Sequence, residues 1–252
     1  MSIWILFGCD FWLSVCTAST ANFSNSKWPR HAEKAVLLLL LCCLLLPSAA
    51  RAEEDALPQP EGVVARCFDG DTLKLTDRRV VRLAGIDTPE LGRDNRKPQF
   101  YAREARQELD ALAKGQKVRL FAAGVKSKDR HGRIVADVRL EDGRSLSDLM
   151  LERGAAFYYP HQDQSPQLQE RLRGLQEQAI NARRGLWAHL LSLPLAHQNY
   201  TGNRNSLRFF PADCPEAQHI KPRNRVYFGT LMDAFLAGYA PARVCQFWPT
   251  QP

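Results

Sequence analysis

Acidic residues stand where two predicted strands end, and together they could hold a cation. Asp69 and Asp71 lie in the turn after the first predicted strand, and Asp87 ends the third. In a three-stranded meander these two strand ends lie on the same side, so Asp69 or Asp71 can meet Asp87. Pro89 favours an extended conformation at Thr88, which leaves the Thr88 carbonyl free to face a cation. Such oxygen ligands suit Ca²⁺ or Mg²⁺ better than Zn²⁺, although Asp-Gly and Asp-Thr-Pro are also ordinary turn sequences.

Two arginines and a glutamate could act on a phosphodiester beside that cation. Arg82 lies in the third predicted strand among apolar neighbours, and Arg133 lies in a turn that enters the fifth. The planar guanidinium group matches two phosphate oxygens at once. A metal ion, two guanidinium groups and the spare carboxylate of Glu90 are the parts that phosphodiester hydrolysis needs. Taken singly, each arginine could equally form a surface salt bridge.

The elements that must position these residues are short strands and helices. Alternating and β-branched apolar residues predict strands at 63–68, 72–75, 80–86, 117–123 and 134–140, after a solvated lead-in at 53–60. Helical spacing with capping residues predicts helices within 98–115, 145–154 and 165–185. The order β-β-β-α-β-β-α-α favours a mostly β, five-stranded Greek-key barrel of the OB type with three helices. Periodicity alone leaves an open α+β sheet as the alternative.

Composition bounds the class of protein. The chain has 252 residues, with 34 Lys+Arg against 27 Asp+Glu, a net charge of +7, and 45% apolar residues. These values are ordinary for globular proteins and exclude wholesale disorder, a coiled-coil rod and a polytopic membrane protein. The basic balance permits a polyanionic partner but does not require one.

The first 52 residues are typical of an export signal. Twelve apolar residues at 35–46 follow basic residues and precede Ala50-Arg51-Ala52, and they are fewer than the ~20 that span a membrane. We expect a signal segment at 1–52, cleavage after Ala52, and a periplasmic or secreted monomer without a membrane span. An uncleaved anchor is the alternative. The first 26 residues fit no signal peptide, so the true start could lie downstream.

Three segments resemble the signatures of the staphylococcal-nuclease (thermonuclease) family. They are Phe-Asp-Gly-Asp-Thr-Leu-Lys-Leu at 68–75, Val-Arg-Leu-Ala-Gly-Ile-Asp-Thr-Pro-Glu at 81–90 and Asp-Arg-His-Gly-Arg at 129–133. The similarity covers about residues 62–188. It implies a five-stranded OB barrel and calcium-dependent cleavage of DNA and RNA.

The resemblance also implies a role for each motif residue. Asp71, Asp87 and the Thr88 carbonyl would be calcium ligands, and Asp69 would stand behind them without touching the ion. Glu90 would be the general base or orient the water. Arg82 and Arg133 would bind the phosphate and stabilise its developing charge.

Aromatic residues follow Gly154, as the base-stacking tyrosines of that family do, but their spacing differs. Tyr158 and Tyr159 stand in Phe-Tyr-Tyr-Pro at 157–160. Either could stack on a base, or one of them could close the core.

After a predicted linker at 189–199, residues 200–249 resemble the metal-binding domain of the Ada-type DNA-repair protein. Two of the four ligand positions of that domain hold Phe210 and Ala242 here, so we expect no tetrahedral zinc site. The resemblance implies that Cys214 and Cys245 lie close together. In an oxidising compartment we expect them to form a disulfide, while Cys67 stays a free, buried thiol.

Two other functions remain open at the level of sequence. OB barrels also serve as single-stranded nucleic-acid-binding modules without chemistry, and related barrels serve as protein-interaction modules. The intact set of acids and arginines favours a calcium-dependent nuclease with DNA, RNA or both as substrate.

Overall fold

The computed structural model describes residues 56–92, 96–124, 127–245 and 247–251. They belong to one compact unit. The predicted signal segment and its cleavage site at Ala52 lie outside the described residues. No helix in the described part of the chain is long and apolar enough to cross a membrane.

Five strands form a closed barrel, in the order β1-β2-β3-β6-β5. They are β1 Ala56–Cys67, β2 Thr72–Leu75, β3 Val80–Leu83, β5 Lys117–Ala122 and β6 Ile134–Leu140. β1 pairs with β5 along its first part and with β2 along its second, which closes the sheet. The structure therefore confirms the predicted OB-type barrel, and the open sheet is wrong.

Apolar residues alternate along these strands and fill the barrel. Leu73 and Leu75 of β2, Leu83 of β3, and Val118 and Leu120 of β5 are all buried. Because side chains of a strand point alternately to its two faces, the interleaved polar positions face outward or toward the open ends. The rim of the barrel is thus where charged side chains of these strands can gather.

Two strand boundaries differ from the prediction. Residues 56–60 are part of the barrel rather than a lead-in to it, because Ala56 pairs with Phe121 and extends β1, although Pro58 and Gln59 are exposed. The predicted strand at 80–86 breaks at Gly85, whose φ is +77°. The short strand β4 Ile86–Asp87 then leaves the barrel and pairs with β7 Phe157–Tyr158. This break turns the end of the segment toward the cleft described below.

Three helices cover the barrel, as predicted. They are α1 Ala102–Ala113, α2 Leu146–Glu152 and α3 Pro166–Asn181. Ser165 caps α3 by accepting a hydrogen bond from the backbone N–H of Leu168 at 3.2 Å. A short helix, α4 Leu186–Leu190, and a 3₁₀ turn, Pro194–His197, follow.

The last part of the described chain forms a second sheet, in the order β10-β8-β9-β11. Its strands are β8 Tyr200–Asn203, β9 Arg208–Pro211, β10 Arg225–Phe228 and β11 Ala240–Pro241, with helices α5 Pro215–Gln218 and α6 Leu231–Leu236 between them. Phe209 and Phe235 of this part share one apolar cluster with Trp187 of α4 and Phe157 of β7. The division into domains at 62–188 and 200–249 with a linker between them stays a prediction.

The three described cysteines divide into a pair and a single residue. Cys214 and Cys245 form a disulfide, with their Cα atoms 6.1 Å apart. Cys67 is free and buried in the barrel. Burial raises the pKa of its thiol, helped by the negative charge of Asp110, so the thiol stays protonated.

Candidate active site

A cavity of about 800 Å³ opens at one end of the barrel. The residues singled out for their chemistry line it together with groups from the C-terminal part. The predicted site residues in its wall are Asp69, Asp71, Arg82, Asp87, Thr88, Glu90 and Arg133. Folding therefore brings together residues that lie up to 64 positions apart in the chain.

Turn geometry holds the first pair of acids. The backbone N–H of Asp71 donates to Oδ1 of Asp69 at 3.1 Å, so Asp69 stabilises the turn rather than projecting freely. The Asp71 carbonyl accepts from the N–H of Leu83 at 2.8 Å, which fixes this turn against β3. Asp71 itself is buried, and its carboxylate accepts a hydrogen bond from the hydroxyl of Thr72 at 2.8 Å.

Arg82 joins the two buried acids. Its guanidinium forms an ion pair with Asp71 through Nη1 and another with Asp87 through Nη2, the latter at 2.8 Å. Burial alone would lower the pKa of Arg82, but the charges of Asp71 and Asp87 outweigh burial and raise it. The guanidinium therefore stays charged, and it holds both carboxylates within reach of one ion.

Asp87 and Glu90 sit in contrasting surroundings. Asp87 is buried, and its pKa is raised by burial even though the Arg82 charge acts in the opposite direction. Glu90 is half-exposed, and its pKa is raised by burial of its inner part and by the carboxylate of Asp87. A carboxylate with a raised pKa is better matched to accepting a proton near neutral pH.

Two hydrogen bonds to Asp129 orient the side chain of Arg133 in the cleft. Its Nε donates to Oδ2 of Asp129 at 2.7 Å, and its backbone N–H donates to Oδ1 of the same residue at 3.0 Å. Its Nη1 donates to the hydroxyl of Thr72 at 3.4 Å, beside Asp71. The motif at 129–133 predicted no role for Asp129, and the structure shows that it orients Arg133.

The oxygen donors fit a hard divalent cation. Asp71 and Asp87 present two buried carboxylates held by one guanidinium, and the hydroxyl of the buried Thr88 lies 3.4 Å from Oδ2 of Asp71. A set made of oxygen atoms suits Ca²⁺ rather than Zn²⁺. A cation there would also offset the burial that disfavours the ionised form of Asp87. The role of the Thr88 carbonyl stays a prediction.

A third arginine, which no sequence pattern predicted here, lines this site. Nη2 of Arg243 donates to both carboxylate oxygens of Asp87, at 2.7 and 2.8 Å. Its Nη1 lies 3.3 Å from Oε1 of Glu90. Arg243 is 156 positions from Asp87, in the segment 200–249 whose resemblance assigned it no role, so only the packing of the C-terminal part could reveal it.

The two tyrosines have different environments. Tyr158 is 1% exposed, its hydroxyl lies 3.4 Å from Oε1 of Gln164, and its backbone N–H donates to Gln176. Tyr158 is therefore a core residue and has no face for a base. Tyr159 is partly buried, with the guanidinium of Arg208 3.7 Å from its ring centroid. Base stacking by Tyr159 stays a prediction.

Comparison with known proteins relates this cleft to nucleases. The model of the family described as staphylococcal nuclease homologue matches residues 80–189. An "Uncharacterized endonuclease" of Escherichia coli is 33% identical over 136 residues, which are 53% of this chain and 80% of the relative. The "Thermonuclease" of Staphylococcus hyicus is 33% identical over 133 residues, 50% of this chain and 75% of the relative.

Other matches are more partial. The "Probable staphylococcal-like nuclease CAN1" of Oryza sativa subsp. japonica is 34% identical over 108 residues, 43% of this chain but 28% of that protein. The family model ends at residue 189, so these comparisons give no support to the Ada-type resemblance of residues 200–249. Arg243 also lies outside the matched range.

Proposed function

The chain belongs to the family of staphylococcal nuclease homologues, and from that premise we propose that it is a Ca²⁺-dependent nuclease that hydrolyses phosphodiester bonds of DNA, RNA or both. This proposal is supported by five groups that line one cleft. They are the buried carboxylates of Asp71 and Asp87, the guanidinium groups of Arg82 and Arg133, and the carboxylate of Glu90. Each of these groups has a distinct task in phosphodiester hydrolysis.

Asp71, Asp87 and the Thr88 carbonyl would hold the cation. When bound, Ca²⁺ polarises a phosphoryl oxygen and makes the phosphorus more open to attack. The ion pairs of Arg82 with both acids keep the two carboxylates together and limit their mutual repulsion. Arg82 thus prepares the site before substrate arrives.

Glu90 and Arg133 would act on the substrate itself. Glu90 accepts a proton from the attacking water as the new O–P bond forms; the bond to the leaving oxygen breaks, and that oxygen takes up a proton from solvent. Arg133 donates hydrogen bonds to phosphoryl oxygens, whose negative charge grows in the transition state. Asp129 fixes the direction of Arg133, which lowers the entropy lost when the phosphate is bound.

Substitution of one residue from each half of the site tests this proposal. We expect Asp71→Ala and Arg133→Ala each to lower the rate of phosphodiester hydrolysis by at least ~10²-fold, the scale for loss of a transition-state donor. Cleavage of labelled DNA and RNA, with circular dichroism to check folding, measures the effect. Rates like that of the wild type in both variants would refute the assignment.

Arg144 supplies a matched control for Arg133. Its backbone N–H and Nε donate to the two oxygens of Asp142 at 3.0 and 2.8 Å, the same local arrangement that joins Arg133 to Asp129. Arg144 does not line the cleft. Arg144→Ala removes an ion pair of the same kind and an equal charge. The rate of phosphodiester hydrolysis by this variant should stay close to that of the wild type.

We also propose that the protein is exported. The support is the apolar run at 35–46 with Ala50-Arg51-Ala52 after it, together with a disulfide between Cys214 and Cys245, since disulfides persist in oxidising compartments. We expect the mature chain to begin at Glu53. N-terminal sequencing of the protein from its native host decides this, and cytosolic protein that retains residues 27–52 would contradict it.

A further inference from the structure

Arg243 lies on the carboxylates that the proposed reaction needs. One of its nitrogen atoms donates to both oxygens of Asp87, and another lies 3.3 Å from Glu90. Arg82 donates to Oδ1 of Asp87 as well. A carboxylate has about four lone-pair sites on its two oxygens, and the two arginines together occupy three of those on Asp87.

The loop that carries Arg243 is anchored on both sides. Before it, the backbone N–H of Ala242 donates to the carbonyl of Phe209 at 2.9 Å, and β11 pairs with β9. After it, Cys245 is tied to Cys214 by the disulfide. The guanidinium is therefore held over Asp87 by a braced loop, although half of its side chain is exposed.

The same segment continues along the cleft. The backbone N–H of Phe100 donates to the carbonyl of Pro249 at 2.7 Å, and Gln99 donates to the carbonyl of Glu90 at 2.9 Å. Nε1 of Trp248 donates to the carbonyl of Phe100 at 3.2 Å. These hydrogen bonds join the C-terminal segment at 248–249 to the stretch that follows Glu90. The segment that carries Arg243 is therefore linked to the segment that carries its partners, Asp87 and Glu90.

A divalent cation and this guanidinium compete for the same acceptors. About one lone-pair site of Asp87 is left free, so a cation bound by Asp87 would lie beside the guanidinium of Arg243, and the two positive groups would repel each other. Binding of the cation would therefore weaken the contact of Arg243 with Asp87. The free energy needed to weaken the ion pair between Arg243 and Asp87 lowers the affinity of the site for the cation.

We propose that Arg243 is a resident counter-ion of Asp87 and Glu90 that competes with Ca²⁺ and so sets the cation affinity of the site. This inference rests on the proposed calcium-dependent function. It gives the part of the chain after residue 189, where the family match ends, a direct effect on the site, because that part places a guanidinium group beside Asp87 and Glu90. Arg243 is a positioning residue here, because it acts on the ligands rather than on the substrate.

Calcium titration of the full chain by calorimetry tests the proposal without any measurement of cleavage. Arg243→Gln keeps a side chain of similar length and removes the charge, and we expect it to bind Ca²⁺ at least ~10-fold more tightly than the wild type, the ratio that corresponds to about 1.4 kcal/mol. Arg243→Lys retains the charge but cannot contact two acceptors with the same fork, so its affinity should fall between the two.

Arg223 provides the control for charge alone. It is an exposed arginine of the same C-terminal part, and the described residues show it in no ion pair. Arg223→Gln makes the same change in net charge and should leave the Ca²⁺ affinity within about twofold of the wild type, since Arg223 does not line the cleft and salt screens exposed charges. An equal gain in affinity in Arg223→Gln and Arg243→Gln would overturn the proposal.

Folding of each variant must also be measured, because an unfolded variant would lack the Ca²⁺ site. Thermal unfolding with and without Ca²⁺ should show a larger calcium-dependent rise in melting temperature for Arg243→Gln than for the wild type, because the ion stabilises by its affinity. Equal or weaker Ca²⁺ binding by both position-243 variants, each folded, would refute competition while leaving the nuclease proposal standing. Cleavage by the wild type in a chelator would instead refute calcium dependence itself.

Discussion

Among the arginines that line the cleft, Arg82 should contribute most to stability, because Asp71 and Asp87 both form an ion pair with it. Its side chain is 14% exposed, and those of the two acids are 4% and 5% exposed. In Arg82→Met, Asp87 keeps Arg243, whereas among the described residues Asp71 keeps the hydroxyls of Thr72 and Thr88 and no ionic partner. Removal of one partner from a buried ion pair typically costs about 3–5 kcal/mol.

We therefore expect Arg82→Met to lower the free energy of unfolding by about 3–5 kcal/mol, a large part of the ~5–15 kcal/mol that holds a typical domain together. Urea unfolding in the presence of a chelator measures this without a contribution from bound cation. Arg133→Met is the matched control. Its ion pair with Asp129 is partly exposed, so its loss should be no more than about 1 kcal/mol.

A second substitution separates the charge from the packing. Asp71→Asn removes the carboxylate that Arg82→Met leaves without an ionic partner. The double variant should therefore be at least ~1 kcal/mol more stable than the sum of the single losses predicts, since residues in one network are not additive. A loss of less than about 1 kcal/mol in Arg82→Met, or an equal loss in Arg133→Met and Arg82→Met, would show that Arg82 does not stabilise the two acids.

Two further predictions concern groups away from the cleft. Burial raises the pKa of Asp148 from 3.8 to about 6 despite its ion pair with Arg171, so this carboxyl binds more protons in the folded state than in the unfolded chain between those values, and its contribution to stability should fall as the pH rises from about 4 to about 6. Asp148→Asn should remove that slope and gain roughly 1–2 kcal/mol at pH 7, which urea unfolding at several pH values checks; an unchanged slope would contradict it. The Cys214–Cys245 disulfide closes a loop of 31 positions, so replacing both cysteines by serine should cost about 3–4 kcal/mol. A reductant should lower the melting temperature of the wild type but leave that of the double serine variant unchanged, and equal sensitivity of both proteins would count against it.

Local signals were sufficient to predict the barrel and most of its site. Asp71, Asp87 and Arg133 stand in short segments at strand ends, where the positions of neighbouring residues follow from the strand order alone. The roles of Asp69 and Asp129 as braces depend on turn hydrogen bonds, which follow from the same short segments. The break at Gly85 was missed because the apolar run continues across it, and only its positive φ separates β3 from β4.

Contacts between distant parts of the chain could not be predicted in this way. Arg243 reaches Asp87 through the packing of the second sheet against α3 and α4, and no periodic pattern encodes that packing. The burial of Tyr158 has a similar origin, because Gln176 of α3 and Gln164 before it bind its backbone and its hydroxyl. The partner of Arg243 lies 156 positions away and the partner of the Tyr158 backbone N–H lies 18 positions away, beyond the reach of a local pattern.

Digestion of plasmid DNA and of single-stranded RNA by the purified protein decides whether the cleft is a Ca²⁺-dependent nuclease. The cleft predicts cleavage of one or both substrates with Ca²⁺ and none with a chelator in excess. Cleavage that persists undiminished in the chelator would contradict the cation site at Asp71 and Asp87. Retention of nucleic acid in a gel-shift assay with Ca²⁺ but without any cleavage would instead identify a binding module.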